Sequence, residues 1–132
     1  MLARPHRFHG PTALKFVYGR GQTVRGQHLA LKYVQNPRRE SYRAAVVVSR
    51  KVDKSAVVRN RLRRRVYAVV ERVSADIKAP YDLVFTAFSN HLATCDTAEV
   101  ELTVKGQLHK AGVLSTASPD PRGIVRRKGL KD

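Results

Sequence analysis

One cysteine, no tryptophan and ten acidic residues are what this 132-residue chain has least of. Cys95 has no partner for an intramolecular disulfide, so a reducing compartment, the cytoplasm, is the expected setting. No CxxC or HxxxH spacing occurs, which leaves zinc without a signature, and no metal site is expected in the protein. No run approaches the roughly 18 apolar residues that a membrane-spanning helix needs, so no membrane partner is expected. Acids are missing altogether before Glu40, whereas Arg4, Arg7, Lys15, Arg20, Arg25, Lys32, Arg38 and Arg39 all precede it. Such a start occurs in transit peptides, but Pro5, Gly10, Pro11, Gly19 and Gly21 break up the amphipathic helix one would need.

What the chain has in excess is positive charge: 26 Lys and Arg against 10 Asp and Glu, a net +16. Charge of this size repels itself in a compact chain, so its reason lies outside folding. A polyanion supplies one, because cations that replace condensed counterions on phosphates gain affinity as those ions are released. Nucleic acid is therefore the expected partner.

The pattern of residues organises the chain into a basic arm over 1–11, one domain over 12–114 and a basic tail over 115–132 that reads as disordered. Thr12 can cap a helix over Ala13–Tyr18, stopped by Gly19 and Gly21. Thr23–Arg25 reads as a brief extended piece. Gln27–Val34 alternates, with Leu29, Leu31 and Tyr33 on one side, as a half-buried strand does. After the turn residues Asn36–Ser41, Tyr42–Ser49 returns as a strand whose Ala44–Val48 run suggests a central position. Ser55 can cap a helix over Ala56–Val73, with Val58, Leu62, Val66, Val69, Val70 and Val73 in one arc and Asn60, Arg64, Tyr67 and Glu71 opposite. Tyr81–Phe88 is a further strand. Asp96 or Thr97 opens a last helix ending near Gly112, with Val100, Val104, Leu108 and Ala111 inward; Asp96, Glu99 and Glu101 suit its start rather than a catalytic pair. A single sheet with helices on one face buries these surfaces, giving an α+β two-layer sandwich.

Within residues 50–65 stand eight cations and one acid: Arg50, Lys51, Lys54, Arg59, Arg61, Arg63, Arg64 and Arg65, with Asp53. Like charges at i+3 and i+4 cost a few tenths of a kcal/mol per pair, and cations oppose the dipole at a helix start. A docked polyanion offsets both penalties. Arginines on a packed helix can meet phosphates bidentately with little rotamer freedom left to lose. The histidines at 6, 9, 28, 91 and 109 are scattered and read as surface or RNA-adjacent residues rather than catalysts.

Val48-Ser49-Arg50-Lys51-Val52, followed by Ala56-Val57-Val58-Arg59-Asn60-Arg61-Leu62-Arg63-Arg64, resembles the signature of the bacterial ribonuclease P protein family. The resemblance spans residues 7–112. It implies a helix–three strands–helix–strand–helix fold with a left-handed βαβ crossover. It also implies a protein subunit that binds a catalytic RNA, in which the RNA holds Mg2+ and cuts precursor tRNA, and no catalytic residue in the protein. Arg59, Asn60, Arg61, Arg63 and Arg64 are then the RNA contacts, joined by Arg50, Lys51, Lys54 and Arg65 of the same cluster. Leu14, Tyr18, Lys32, Ser49 and Lys51 fall in the cleft for the single-stranded 5′ leader. Leu14 stands where the family has an aromatic, Tyr67 where an arginine is usual, Phe88-Ser89 where a strand ends near an arginine, and Lys32 where an apolar or aromatic residue is frequent.

Two other classes fit parts of the sequence. A small ribosomal protein shares the size, charge and tails but has no need of Lys51 followed by Arg59-Asn60-Arg61. A protein-only nuclease needs a carboxylate cluster or a histidine pair. Arg59→Ala and Arg64→Ala are each expected to weaken RNA binding and lower its salt slope by about one, with little loss of stability.

Overall fold

The structure, a computed structural model, describes residues 11–78 and 80–114. The expected arm and tail lie outside the described residues, except that Pro11 already belongs to a helix. In chain order the elements are α1 (Pro11–Arg20), β1 (Gln22–Arg25), β2 (Leu29–Gln35), β3 (Arg43–Val47), α2 (Ala56–Arg72), β4 (Tyr81–Ala87), α3 (His91–Thr94) and α4 (Thr97–Lys110). Thr12 therefore sits inside the first turn of α1 rather than capping it; proline suits the first helical position because its missing N–H has no partner there anyway.

The four strands form one sheet in the order β1-β2-β4-β3. β1, β2 and β4 are antiparallel neighbours, while β3 runs parallel to β4, the two joined through α2 as a βαβ crossover. One face carries Leu29 and Leu31 of β2, Ala44 and Val46 of β3, and Leu83 and Phe85 of β4. These pack against Leu62, Val66, Val69 and Val70 of α2 and Val100, Val104 and Leu108 of α4, all buried. Each such side chain removed from water contributes about 1.5–3 kcal/mol, so the valine arc of α2 holds its opposite face in a fixed position.

α4 ends as a Schellman motif. Gly112 adopts φ 76°, its N–H donates to His109 O at 2.9 Å, and Val113 N–H donates to Leu108 O at 3.2 Å.

Two sequence expectations change. First, β3 is an edge strand, not a central one. Its apolar run is explained by α2, which closes that edge: Tyr67 Oη accepts from Val46 N–H at 3.1 Å, and Arg63 Nη2 donates to Val48 O at 3.2 Å. The two side chains are one helical turn apart and meet residues two apart on the strand, so the open row of backbone groups is covered. Tyr67→Phe is expected to lower the unfolding free energy by about 1 kcal/mol in urea titration, leaving RNA affinity unchanged.

Second, the helices do not all share one face. α1 packs on β2 and β4, and Val17 is fully buried, yet it stands apart from the main core. It lies on the reverse face, where the register sets three rungs side by side: Ala30–Thr86–Val47, Lys32–Val84–Ala45 and Val34–Asp82–Arg43. Periodicity shows that a helix is amphipathic but not which side of a sheet it takes.

Candidate nucleic-acid interface

The basic loop and the start of α2 are one braced unit. Ser55 is in extended conformation and its Oγ accepts from Val58 N–H at 3.3 Å, as the sequence leads one to expect of an N-cap. Asp53 grips the loop from both sides: one carboxylate oxygen accepts from Ser55 N–H at 2.8 Å, the other from Asn90 Nδ2 at 3.0 Å. Arg59 Nη1 donates to the carbonyls of Asp53 at 2.9 Å and Lys54 at 3.0 Å, tying helix to loop.

The Asn90 bond, followed by the Ser55 N–H, holds the Asp53 carboxyl below its ordinary value. A group lowered on folding contributes stability above its unfolded pKa and loses it as pH falls through the folded one. The Ser55 amide resonance is therefore expected to hold steady from neutral pH down to the usual aspartate pKa of about 3.9 and to move only below it. A shift centred at or above that value would contradict the brace.

Around α2 the arginines divide by direction. Arg63 and Arg65 stand about 100° to either side of Arg64. Arg63 turns to β3, donating to Asn60 Oδ1 at 2.7 Å as well as to Val48 O. Arg65 turns to α3 and donates to Leu92 O at 2.8 Å and Cys95 O at 2.5 Å. The Arg65 guanidinium, one of the candidate RNA contacts, ties α2 to the end of α3. Arg61 and Arg64 remain exposed with Asn60 on the outward face. Among the described residues neither side chain has a hydrogen-bond or ion-pair partner, and the same holds for the exposed side chains of Arg50, Lys51 and Lys54. Five free cations thus share one braced unit, positioned by three arginines that are engaged with the chain itself.

The reverse face of the sheet carries the second surface. A cleft of about 890 Å³ opens there, flanked by Phe16 and Arg20 of α1, floored by Val34 and Arg43, and rimmed by Arg38 and Arg39. The rim is fixed: Asn36 O accepts Arg39 N–H at 3.0 Å, Asn36 Oδ1 accepts Arg38 N–H at 3.2 Å, and Asn36 Nδ2 donates to Asp82 at 3.0 Å. Leu14 and Tyr18 do not line this cleft. Val17 points to the sheet, which turns Tyr18 to one flank, with Lys32 Nζ 5.9 Å from its ring centroid, and Phe16 and Arg20 to the other. Ser49 and Lys51 are exposed beyond the C-terminal end of β3, past the Thr86 rung. None of the five candidate cleft residues is therefore among those lining this cleft. Sequence reasoning missed Phe16, Arg20, Arg38, Arg39 and Arg43; the i, i+4 pair Phe16/Arg20 was the available signal.

Residues 2–112 match the family model described as Ribonuclease P. The chain belongs to the ribonuclease P protein family. A ribonuclease P protein component from a Synechococcus species is 33% identical over 126 residues, covering 93% of this chain and 94% of that one. One from Roseiflexus castenholzii is 34% identical, covering 88% and 93%. Among solved structures, the RNase P protein of Staphylococcus aureus overlays with a TM-score of 0.74 at 20% identity, covering 83% of this chain and 97% of that chain. That of Thermotoga maritima overlays at 0.66 and 21% identity, covering 74% and 89%. The mixed α+β fold with its four-stranded sheet is thus that of ribonuclease P proteins. The chain acts in tRNA processing as part of an endoribonuclease complex, and the ribosomal alternative has no support.

Proposed function

We propose that this protein binds the catalytic RNA of ribonuclease P through its braced basic unit and receives the 5′ leader of precursor tRNA on the reverse face of its sheet. The observation that carries this is the set of five unpartnered cations, Arg50, Lys51, Lys54, Arg61 and Arg64, held on one packed helix and its pinned loop. The reverse face suits a single strand. Beside α1, the β3 positions Ala45 and Val47 are small, uncharged and only partly buried, the ends of the face are cationic, and Phe16 offers a stacking surface at the cleft. The RNA subunit supplies hydrolysis, leaving a 5′ phosphate on the mature tRNA, and holds the Mg2+ this needs. Asp53 is the only carboxylate among residues 49–65 and is already engaged twice, so this unit offers magnesium no group of carboxylate oxygens. The site of action is the cytoplasm, and no protein side chain is a catalyst.

The test is the affinity of the reconstituted complex for precursor tRNA against mature tRNA. Wild-type protein is expected to favour the leader-bearing substrate. Phe16→Ala is expected to cut that preference by about 1–3 kcal/mol, the worth of one base stacked on an aromatic ring, with Leu14→Ala having less effect. Equal losses on both substrates would contradict the leader cleft.

A further inference from the structure

The histidines are less scattered than their sequence positions suggest. His28 and His91 stack with ring centroids 4.2 Å apart, and His91 Nε2 lies 2.5 Å from Glu99 Oε2. Cys95 completes a group: the candidate ligand atoms of His91, Cys95 and Glu99 all lie within 4.8 Å of one another. These residues recur at intervals of four across the α3–α4 corner. His91 opens α3, Cys95 follows its last residue, and Glu99 is in the first turn of α4.

We propose that His91, Cys95 and Glu99 form a binding site for zinc or a similarly thiophilic divalent cation. Donor chemistry selects the ion. One imidazole nitrogen, one thiolate and one carboxylate oxygen suit borderline-soft zinc, whereas magnesium and calcium take oxygen donors. Metal–ligand bonds of about 2.0–2.3 Å place tetrahedral donors roughly 3.3–3.8 Å apart. The widest separation here must close by about 1 Å and the His91–Glu99 contact must open, which side-chain rotation accomplishes because His91 and Glu99 are well exposed. Three protein ligands leave the fourth position to water. The framework is already fixed: His28 stacks on the His91 ring and is itself bonded to Ser89 Oγ at 2.8 Å, while the Cys95 carbonyl is held by Arg65. Arg65 is the nearby positive charge; its guanidinium is held on the Leu92 and Cys95 carbonyls and favours the thiolate form of Cys95. Thiolate and carboxylate together neutralise a divalent ion. This site is separate from the magnesium of the RNA subunit, which has the opposite ligand preference, and stands or falls independently of it.

Cobalt(II) added to the metal-free full-length protein tests the site. Cys95 is the only cysteine, so a thiolate-to-cobalt charge-transfer band can arise nowhere else in the chain, whatever His6 and His9 bind. The expected result is such a band saturating at one equivalent and displaced by zinc, absent in Cys95→Ser, with affinity lowered about tenfold or more in His91→Ala and in Glu99→Gln. On the unmutated chain, zinc is expected to slow alkylation of Cys95 by iodoacetamide at least tenfold, a readout that needs no variant to fold. No cobalt band, a band unchanged in His91→Ala and Glu99→Gln, or an alkylation rate indifferent to zinc would overturn the proposal.

Discussion

Replacing Arg50, Lys51, Lys54, Arg61 and Arg64 together by alanine lowers affinity for the ribonuclease P RNA by on the order of a thousandfold at moderate salt and flattens the log K against log salt plot by about four. The reason is counterion release: each cation seated on a phosphate frees most of one condensed ion, and five are removed. Stability is not expected to fall, since none of the five side chains has a partner within the described residues. The net charge drops from +16 to +11, which lessens self-repulsion. Filter binding across a salt series, beside a urea titration of the same variant, measures both quantities. Arg59→Ala behaves differently. By sequence it looks interchangeable with Arg64→Ala, but it surrenders two bonds from a charged donor to the loop carbonyls, at a cost of about 1–2 kcal/mol in stability. A quintuple variant that unfolds, or whose salt slope matches wild type, would show that these cations are not free phosphate ligands.

Asp82→Ala destabilises the domain by about 3–5 kcal/mol, a large share of the 5–15 kcal/mol that holds a typical domain folded. Asp82 is fully buried on the reverse face of β4. Its carboxylate accepts from Arg43 Nε at 2.9 Å and Nη2 at 2.7 Å, with Asn36 Nδ2 as a third donor at 3.0 Å. Removing the acid takes two charge-assisted hydrogen bonds from the Arg43 guanidinium, whose side chain is only 9% exposed, and the third from Asn36. The paired replacement Asp82→Leu with Arg43→Met is expected to recover most of the loss, because two apolar groups of similar volume remove the desolvation cost of both buried charges together. Arg43 also floors the cleft, so the double variant regains stability without regaining full leader affinity. A single substitution costing under about 1 kcal/mol, the scale of exposed pairs, would mean that water replaces the pair.

α2 and α4 were legible because their signals are local: a valine arc at helical spacing, Ser55 before the first turn, Gly112 after the last. The Arg-rich motif was legible for the same reason, and it pointed to the family directly. The rest depended on tertiary placement. The Ala44–Val48 run reads as a central strand, yet β3 lies at an edge that Tyr67 and Arg63 cover from a helix twenty residues away. Arg61, Arg63, Arg64 and Arg65 look equivalent in sequence, but steps of about 100° send Arg63 to β3 and Arg65 to α3. On α1 the rotation that buries Val17 sends Phe16, not Leu14, to the cleft. α3 is a single turn of four residues, too short for any periodicity to reveal. The His91–Cys95–Glu99 grouping escaped because its members straddle two helices and mix three kinds of ligand.

On the function proposed above, a catalytic RNA is the partner for which this surface is built. Turnover of precursor tRNA by the ribonuclease P RNA at low magnesium, with and without the full-length protein, tests it most directly. Added protein should raise turnover, the quintuple alanine variant should not, and the protein alone should cleave nothing. Unchanged turnover on addition of folded wild-type protein, or cleavage by the protein without RNA, would contradict it.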